Sequence, residues 1–185
     1  MAMCKDSPHF AKYDDYYTTE LTWSYIMPYV KAKNYKTIYE ACMLNSNLSK
    51  SPEYWQKSGF NVIYNTKWDF LKHNEPKENY DIIITNPPFD LKYKLPILKK
   101  LVELDKPFII ILNVMNVFAK YFQDIFKDKE NDLEIIYPNN RLHYGKLIIN
   151  ENGEKSLEEK KNTSFYSVFI AYKVNLNIKM LDTRK

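Results

Sequence analysis

Apolar residues gather in short runs separated by mixed stretches, and the runs predict strands. Tyr80 to Asn86 holds Ile82, Ile83 and Ile84 in succession, the look of a buried strand. Pro107 to Asn113 reads Pro-Phe-Ile-Ile-Ile-Leu-Asn, near-continuously apolar like a strand covered on both faces. Thr37 to Cys42, Phe60 to Asn65 after the helix-stopping Gly59, and Leu133 to Tyr137 closed by Pro138 predict three more. Ser164 to Val174 predicts a long sixth strand with an aromatic and β-branched bias.

Helical patterns lie between these runs. Ser51-Pro52-Glu53 has the form of an N-cap followed by proline at the first helical position. Pro96 to Leu104 sets Leu98, Leu101, Val102 and Leu104 against Lys99, Lys100 and Glu103 on the other face. Val117 to Phe126 carries Phe118, Tyr121, Phe122, Ile125 and Phe126 at helical spacing, a stripe suited to core packing. Alternating strands and helices predict an α/β fold with a mostly parallel, doubly wound sheet. The last two strands, with the polar insert Gly145 to Thr163 and its Asn152-Gly153 turn between them, predict an antiparallel C-terminal hairpin at the sheet edge. The pattern shows no repeat and no linker, so residues 1 to 185 read as a single domain with a core over about 35 to 175.

Composition narrows the function classes. An apolar fraction of 45% does not suit a disordered chain, and a net charge of +4 admits a nucleic-acid partner without requiring one. Cys4 and Cys42 are too far apart for a disulfide framework or a cysteine zinc site, and His9, His73 and His143 lack metal-ligand spacing, so no metal is expected. Without a long apolar run or a signal-peptide pattern, the expectation is a soluble intracellular protein, cytoplasmic or in a host cell, with no membrane partner.

Candidate chemistry concentrates where the Tyr80 to Asn86 run ends. Asn86-Pro87-Pro88-Phe89 follows it directly, and the two prolines can donate no ladder hydrogen bond. This makes a stiff polar-then-aromatic loop at a carboxyl strand end, where open α/β sheets place their ligands. Asn86-Pro87-Pro88-Phe89 resembles the catalytic loop of amino-methyltransferases that use S-adenosyl-L-methionine (SAM). Together with the order of the other elements, the chain resembles a class I SAM-dependent N6-adenine methyltransferase of the phage and viral type, with a Rossmann-like domain. The resemblance extends over about residues 13 to 174.

The resemblance implies roles for particular residues. Asn86, Pro87, Pro88 and Phe89 would be catalytic: the Asn86 oxygen and the Pro87 carbonyl hold the two hydrogens of an adenine amine, and Phe89 stacks on the base. Tyr16-Tyr17-Thr18-Thr19 resembles the segment that touches the methionine end of the cofactor, with Thr19 in place of the usual proline. Thr37 to Cys42 resembles the first strand and the acidic start of the cofactor loop, and Trp68-Asp69-Phe70-Leu71 the segment that meets the cofactor's adenine. The implied cofactor-binding set is Tyr17, Thr18, Glu40, Cys42, Asn65, Asp69 and Phe70. Lys92 and Lys94 after the loop, and Arg141 and Tyr144 in the final hairpin region, are the substrate-binding candidates. Lys146, Lys155, Lys160 and Lys161 add positive charge there, diluted by Glu151, Glu154, Glu158 and Glu159.

Two departures stand out. The family's first loop is usually glycine-rich, whereas Glu40-Ala41-Cys42-Met43-Leu44-Asn45-Ser46-Asn47 has no glycine. Asn65 or Thr66 stands where an acidic residue commonly holds the ribose. The expected function is methyl transfer to the N6 amine of adenine in nucleic acid, with DNA ahead of RNA and a possible protein partner supplying target recognition. The alternatives are a catalytically silent methyltransferase-like subunit and, behind it, a protein glutamine methyltransferase.

Overall fold

The computed structural model describes residues 16–43, 47–73, 75–160 and 163–184. Cys4, His9 and Lys161, and Leu44 to Ser46 of the glycine-free loop, lie outside the described residues. The elements run β1 (Tyr16–Thr18), α1 (Glu20–Lys31), β2 (Thr37–Glu40), α2 (Ser51–Lys57), β3 (Asn61–Tyr64), β4 (Ile82–Thr85), α3 (Leu91–Glu103) and β5 (Phe108–Asn113). After a 3-10 turn at Val114–Asn116 come α4 (Lys120–Phe126), β6 (Leu133–Pro138), β7 (Tyr144–Ile149), β8 (Lys155–Lys160), β9 (Ser167–Tyr172) and β10 (Met180–Leu181).

A seven-stranded sheet has the order β10-β6-β9-β5-β4-β2-β3. β3, β2, β4 and β5 are mutually parallel, and β9 runs antiparallel between β5 and β6. The alternation of strand side chains divides the core. Ile82, Ile84, Ile109 and Ile111 face a cluster with Trp23, Ile26 and Val30 of α1 and Trp55 of α2. Ile83, Phe108 and Ile110 face Leu98 and Leu101 of α3 and Phe122 and Phe126 of α4. Helices therefore cover both faces, which is why the central strands carry no polar alternation.

The chain leaves β2 toward β3 on one side and later returns through β4 toward β5 on the other. The switch in direction lies between the carboxyl ends of β2 and β4, the position at which open α/β sheets form a ligand crevice.

Several expectations are corrected. The two late strands do pair antiparallel, β6 with β9, but not at the sheet edge, which β10 occupies. β9 pairs on both sides, and all six of its residues are buried. The polar insert is itself the hairpin: β7 and β8 pair around Asn150–Glu154, with Gly153 at φ +77°, and β1 joins to make a separate three-stranded sheet. Helix α3 begins at Leu91, because the Asp90 side chain accepts from Lys92 N and caps it; Pro96 falls inside the helix. Phe118 stands outside α4 and is 68% exposed.

Helix α1 has no counterpart among the expected elements. Thr19 caps it, and Trp23, Ile26, Met27 and Val30 form its buried stripe. Pro28, an expected helix breaker, sits on the exposed side. No helix of the described residues is long and apolar enough to cross a membrane.

Candidate active site

The loop after β4 is fixed mostly by its own neighbours. Pro87 and Pro88 restrict the backbone, and Asp90 caps α3 immediately afterwards. Lys94, one turn into that helix and only 6% exposed, folds back and donates from Nζ to the Phe89 carbonyl at 3.0 Å. Asn86 Oδ1 is buried and accepts no hydrogen bond within the described residues. An unsatisfied buried acceptor costs about 1–3 kcal/mol, and this one stands directly after the carboxyl end of β4.

Three distant segments converge on Phe89. Its ring lies 5.5 Å from Phe165 and 6.2 Å from Tyr144, and Tyr16 packs edge-on to both of those at 5.5 and 6.0 Å. β1 is held there by its antiparallel pairing to β7, with Thr18 opposite Tyr144 and Tyr17 opposite Gly145. The Thr19 and Thr22 hydroxyls donate to the His143 carbonyl at 3.0 and 2.7 Å, and His143 N donates back to Thr22 Oγ1 at 2.8 Å. Thr18 Oγ1 is buried without a hydrogen-bond partner among the described residues.

A buried polar cluster joins the ends of β2 and β4. Glu40 accepts from Ser51 Oγ at 2.6 Å, and the Thr85 hydroxyl accepts from Cys42 N at 3.0 Å. Burial pushes the Glu40 carboxyl up to about 7, even though hydrogen bonds from Ser51 and Thr85 act in the opposite direction. Burial also pushes the Cys42 thiol up to about 12; the Thr85 hydrogen bond opposes this, while Glu40 and Asp69 add to it. A thiol held that high stays protonated and is no nucleophile at neutral pH.

The remaining expected residues fall out unequally. Phe70 is buried and packs 6.3 Å from Tyr39. Burial pushes the Asp69 carboxyl up, but Lys72 and the Leu71 N–H outweigh it and hold the group below its usual range. Its Oδ1 accepts from Leu71 N at 3.0 Å and its Oδ2 pairs with Lys72 at 2.9 Å. Asn65 Oδ1 closes a turn by accepting from Lys67 N at 2.8 Å. Lys92 is exposed.

Two placements correct the substrate-binding set. Lys94 is turned inward onto the loop backbone and has no exposed ammonium to offer a phosphate. Tyr144 is fully buried, with its hydroxyl donating to Ser167 Oγ at 2.7 Å, so it braces the aromatic cluster from beneath. The sequence reading also missed residues. Ser51 is the first residue of α2 and not its cap, and Thr85 was seen only as the polar end of an apolar run. Their separation of 11 and 43 residues from the groups they bind left no local signal. No group of histidine, cysteine and carboxylate residues suited to a metal occurs among the described residues. No family model matches the chain, and no curated protein matches it.

Proposed function

We propose that this protein is a SAM-dependent methyltransferase acting on the N6 amine of adenine in nucleic acid, with DNA ahead of RNA. The observation that carries the reading is the buried Asn86 Oδ1, which lacks a hydrogen-bond partner among the described residues at the end of β4, beside the switch point. The sheet order supports it: six parallel strands with one inserted antiparallel strand make a frame suited to a Rossmann-like methyltransferase.

The residues present fit the cofactor. Its methionine end carries an ammonium group, and Glu40 and the unsatisfied Thr18 hydroxyl are buried acceptors of the right chemistry on two of the segments that meet here. Asp69 and Phe70 would take the adenine end. When bound, SAM would supply an electrophilic methyl group to the amine nitrogen that Asn86 and Pro87 hold.

The protein's own work is positioning. An exocyclic adenine amine is a weak nucleophile because its lone pair is delocalised into the ring. Asn86 Oδ1 and the Pro87 carbonyl accept its two hydrogens and favour a pyramidal nitrogen. Pro87 brings a carbonyl without a competing N–H, and Pro88 fixes its direction. Phe89 offers its ring to the base, and the buried Lys94 holds the Phe89 carbonyl in place. A target within a duplex would have to leave the stack to reach this loop.

Mass spectrometry of unmethylated DNA and RNA incubated with the protein and SAM tests the proposal. N6-methyladenine that disappears in Asn86→Ala supports it. Calorimetric binding of SAM without any methylated product favours a silent subunit, a reading motivated by the glycine-free loop. Methylation of a protein glutamine in place of a base would replace the substrate.

A further inference from the structure

Two consecutive aromatic residues link the loop after β4 to an exposed cation–ring pair. Phe89 packs on Phe165, and the next residue, Tyr166, turns outward and is 56% exposed. The Arg141 guanidinium lies 4.6 Å from the centre of the Tyr166 ring. Arg141 is held there by a hydrogen bond from Nη1 to the Thr163 carbonyl at 2.6 Å. Tyr166 is fixed in turn, because its carbonyl accepts from Val114 N at 2.9 Å and Ser167 follows at once in β9.

The location matters as much as the chemistry. Ser167 is opposite Asn113, the last residue of β5, so Tyr166 stands at the same carboxyl edge of the sheet as Asn86. Met115 and Phe118, each 68% exposed, leave the chain just beyond Asn113 at that edge. Large apolar side chains next to an arginine-covered ring are a poor design for a face meant only for water. They suit a ligand with flat apolar faces and negative charge, which describes an unpaired nucleotide.

We propose that Tyr166 and Arg141 form a stacking platform for an unpaired base next to the target adenine, so that the preferred partner is single-stranded nucleic acid. The inference rests on the methyltransferase reading for the word target, but the platform binds without turnover. In a duplex, bases present their edges and cannot lay a face on Tyr166. In a single strand, one base lies on the platform while its neighbour reaches Asn86, with Arg141 contributing charge toward the backbone.

Fluorescence anisotropy with a short fluorescein-labelled, adenine-containing deoxyoligonucleotide, single-stranded or annealed to its complement and without SAM, provides the test. The wild type should prefer the single strand. Tyr166→Ala should weaken single-strand binding by about 5- to 150-fold, the span expected for loss of one stacked base. Tyr166→Trp should retain it. Arg141→Lys, which keeps charge but loses the planar cation, should fall between them. An unchanged melting temperature in Tyr166→Ala excludes a folding defect, as expected for an exposed side chain whose backbone bonds remain. Absence of single-strand binding by the wild type, equal binding by wild type and Tyr166→Ala, or equal losses for single strand and duplex would overturn the platform. The methyltransferase reading fails separately: a protein that binds single strands through Tyr166 but forms no methyladenine keeps the platform and loses the activity.

Discussion

The loops after β2 and β4 leave adjacent strands at the same edge of the sheet, yet they are held in opposite ways. Around the β4 loop the anchors are near neighbours: two prolines, the Asp90 cap and the Lys94 bond to Phe89, all within residues 87 to 94. The β2 loop is held by remote partners. Cys42 N reaches a threonine 43 residues on, and Glu40 a serine 11 residues on. The half proposed to be catalytic thus owes its shape to local stiffness. The half assigned to the cofactor owes it to buried polar bonds that exist only once the sheet has formed. Stiffness of the first kind survives side-chain changes elsewhere, whereas the second kind responds to pH and to the loss of one hydroxyl.

The largest expected effect comes from the local half. Asn86→Ala removes the acceptor proposed to hold the substrate amine, and methyl transfer should fall by about 10²- to 10³-fold. Stability should not fall with it, because the oxygen has no protein partner among the described residues and burying it unsatisfied is a cost. Single-turnover rates and thermal melts on the same variant check both statements. Near-normal turnover would end the assignment of Asn86. A large fall in melting temperature would show that the amide supports the fold.

Glu40 tests the remote half through pH. Its folded-state carboxyl is pushed up to about 7 by burial, above the ordinary glutamate value expected in the unfolded chain. The native state therefore holds a proton that the unfolded state has released, and stability falls as pH rises between about 4.5 and 7. The full loss above that window is on the order of 3 kcal/mol. Glu40→Gln should remove this slope and make the protein more stable than wild type at pH 8. Urea unfolding at pH 5, 6, 7 and 8 measures it. Parallel pH profiles for the two proteins would show that Glu40 does not titrate in this range.

The same contrast explains what could be read from the chain. Ile82-Ile83-Ile84 and Phe108 to Leu112 announced buried strands because a strand covered on both faces cannot alternate. Asn86-Pro87-Pro88-Phe89 was legible because its constraint is covalent. The place of β9 was not: a buried antiparallel strand has the same apolar composition wherever it inserts, so its insertion between β5 and β6 has no local signature. Helix α1 was not read from the chain; in the structure Pro28 falls on its exposed side while Trp23, Ile26 and Val30 pack beneath. Tyr144 looked like a surface aromatic among charged residues, and only the pairing of β1 with β7 shows it enclosed. Lys94 looked like a phosphate contact because lysine is usually exposed.

Lys94→Met sharpens the comparison from within the local half. A charged donor to a carbonyl contributes about 1.5–3 kcal/mol. Methionine fills similar space without the bond, so the loop should keep its covalent stiffness and lose one anchor. We expect a roughly tenfold lower rate at saturating SAM with SAM affinity unchanged. The split between rate and affinity is the informative part, since a loss confined to SAM affinity would place Lys94 with the cofactor half.

The smallest effect is expected at Thr85, the residue shared by the two halves. Thr85→Val preserves shape on the fully buried strand β4 but removes the acceptor for Cys42 N and a hydrogen bond to Glu40. Losing one net hydrogen bond of about 1 kcal/mol should raise the SAM dissociation constant roughly fivefold. The chemical step should be nearly unaffected, because Asn86 and the prolines keep their own constraints. The Glu40 bond supplies a second readout. A hydrogen bond to the charged carboxylate favours that form, so its removal should push the Glu40 carboxyl higher and extend the falling part of the stability profile toward alkaline pH. Calorimetric titration with SAM and urea unfolding across pH separate the two consequences. If SAM affinity falls while the pH profile stays in place, Thr85 acts only through the Cys42 N–H; if the profile moves while affinity holds, the β2 loop does not contact the cofactor.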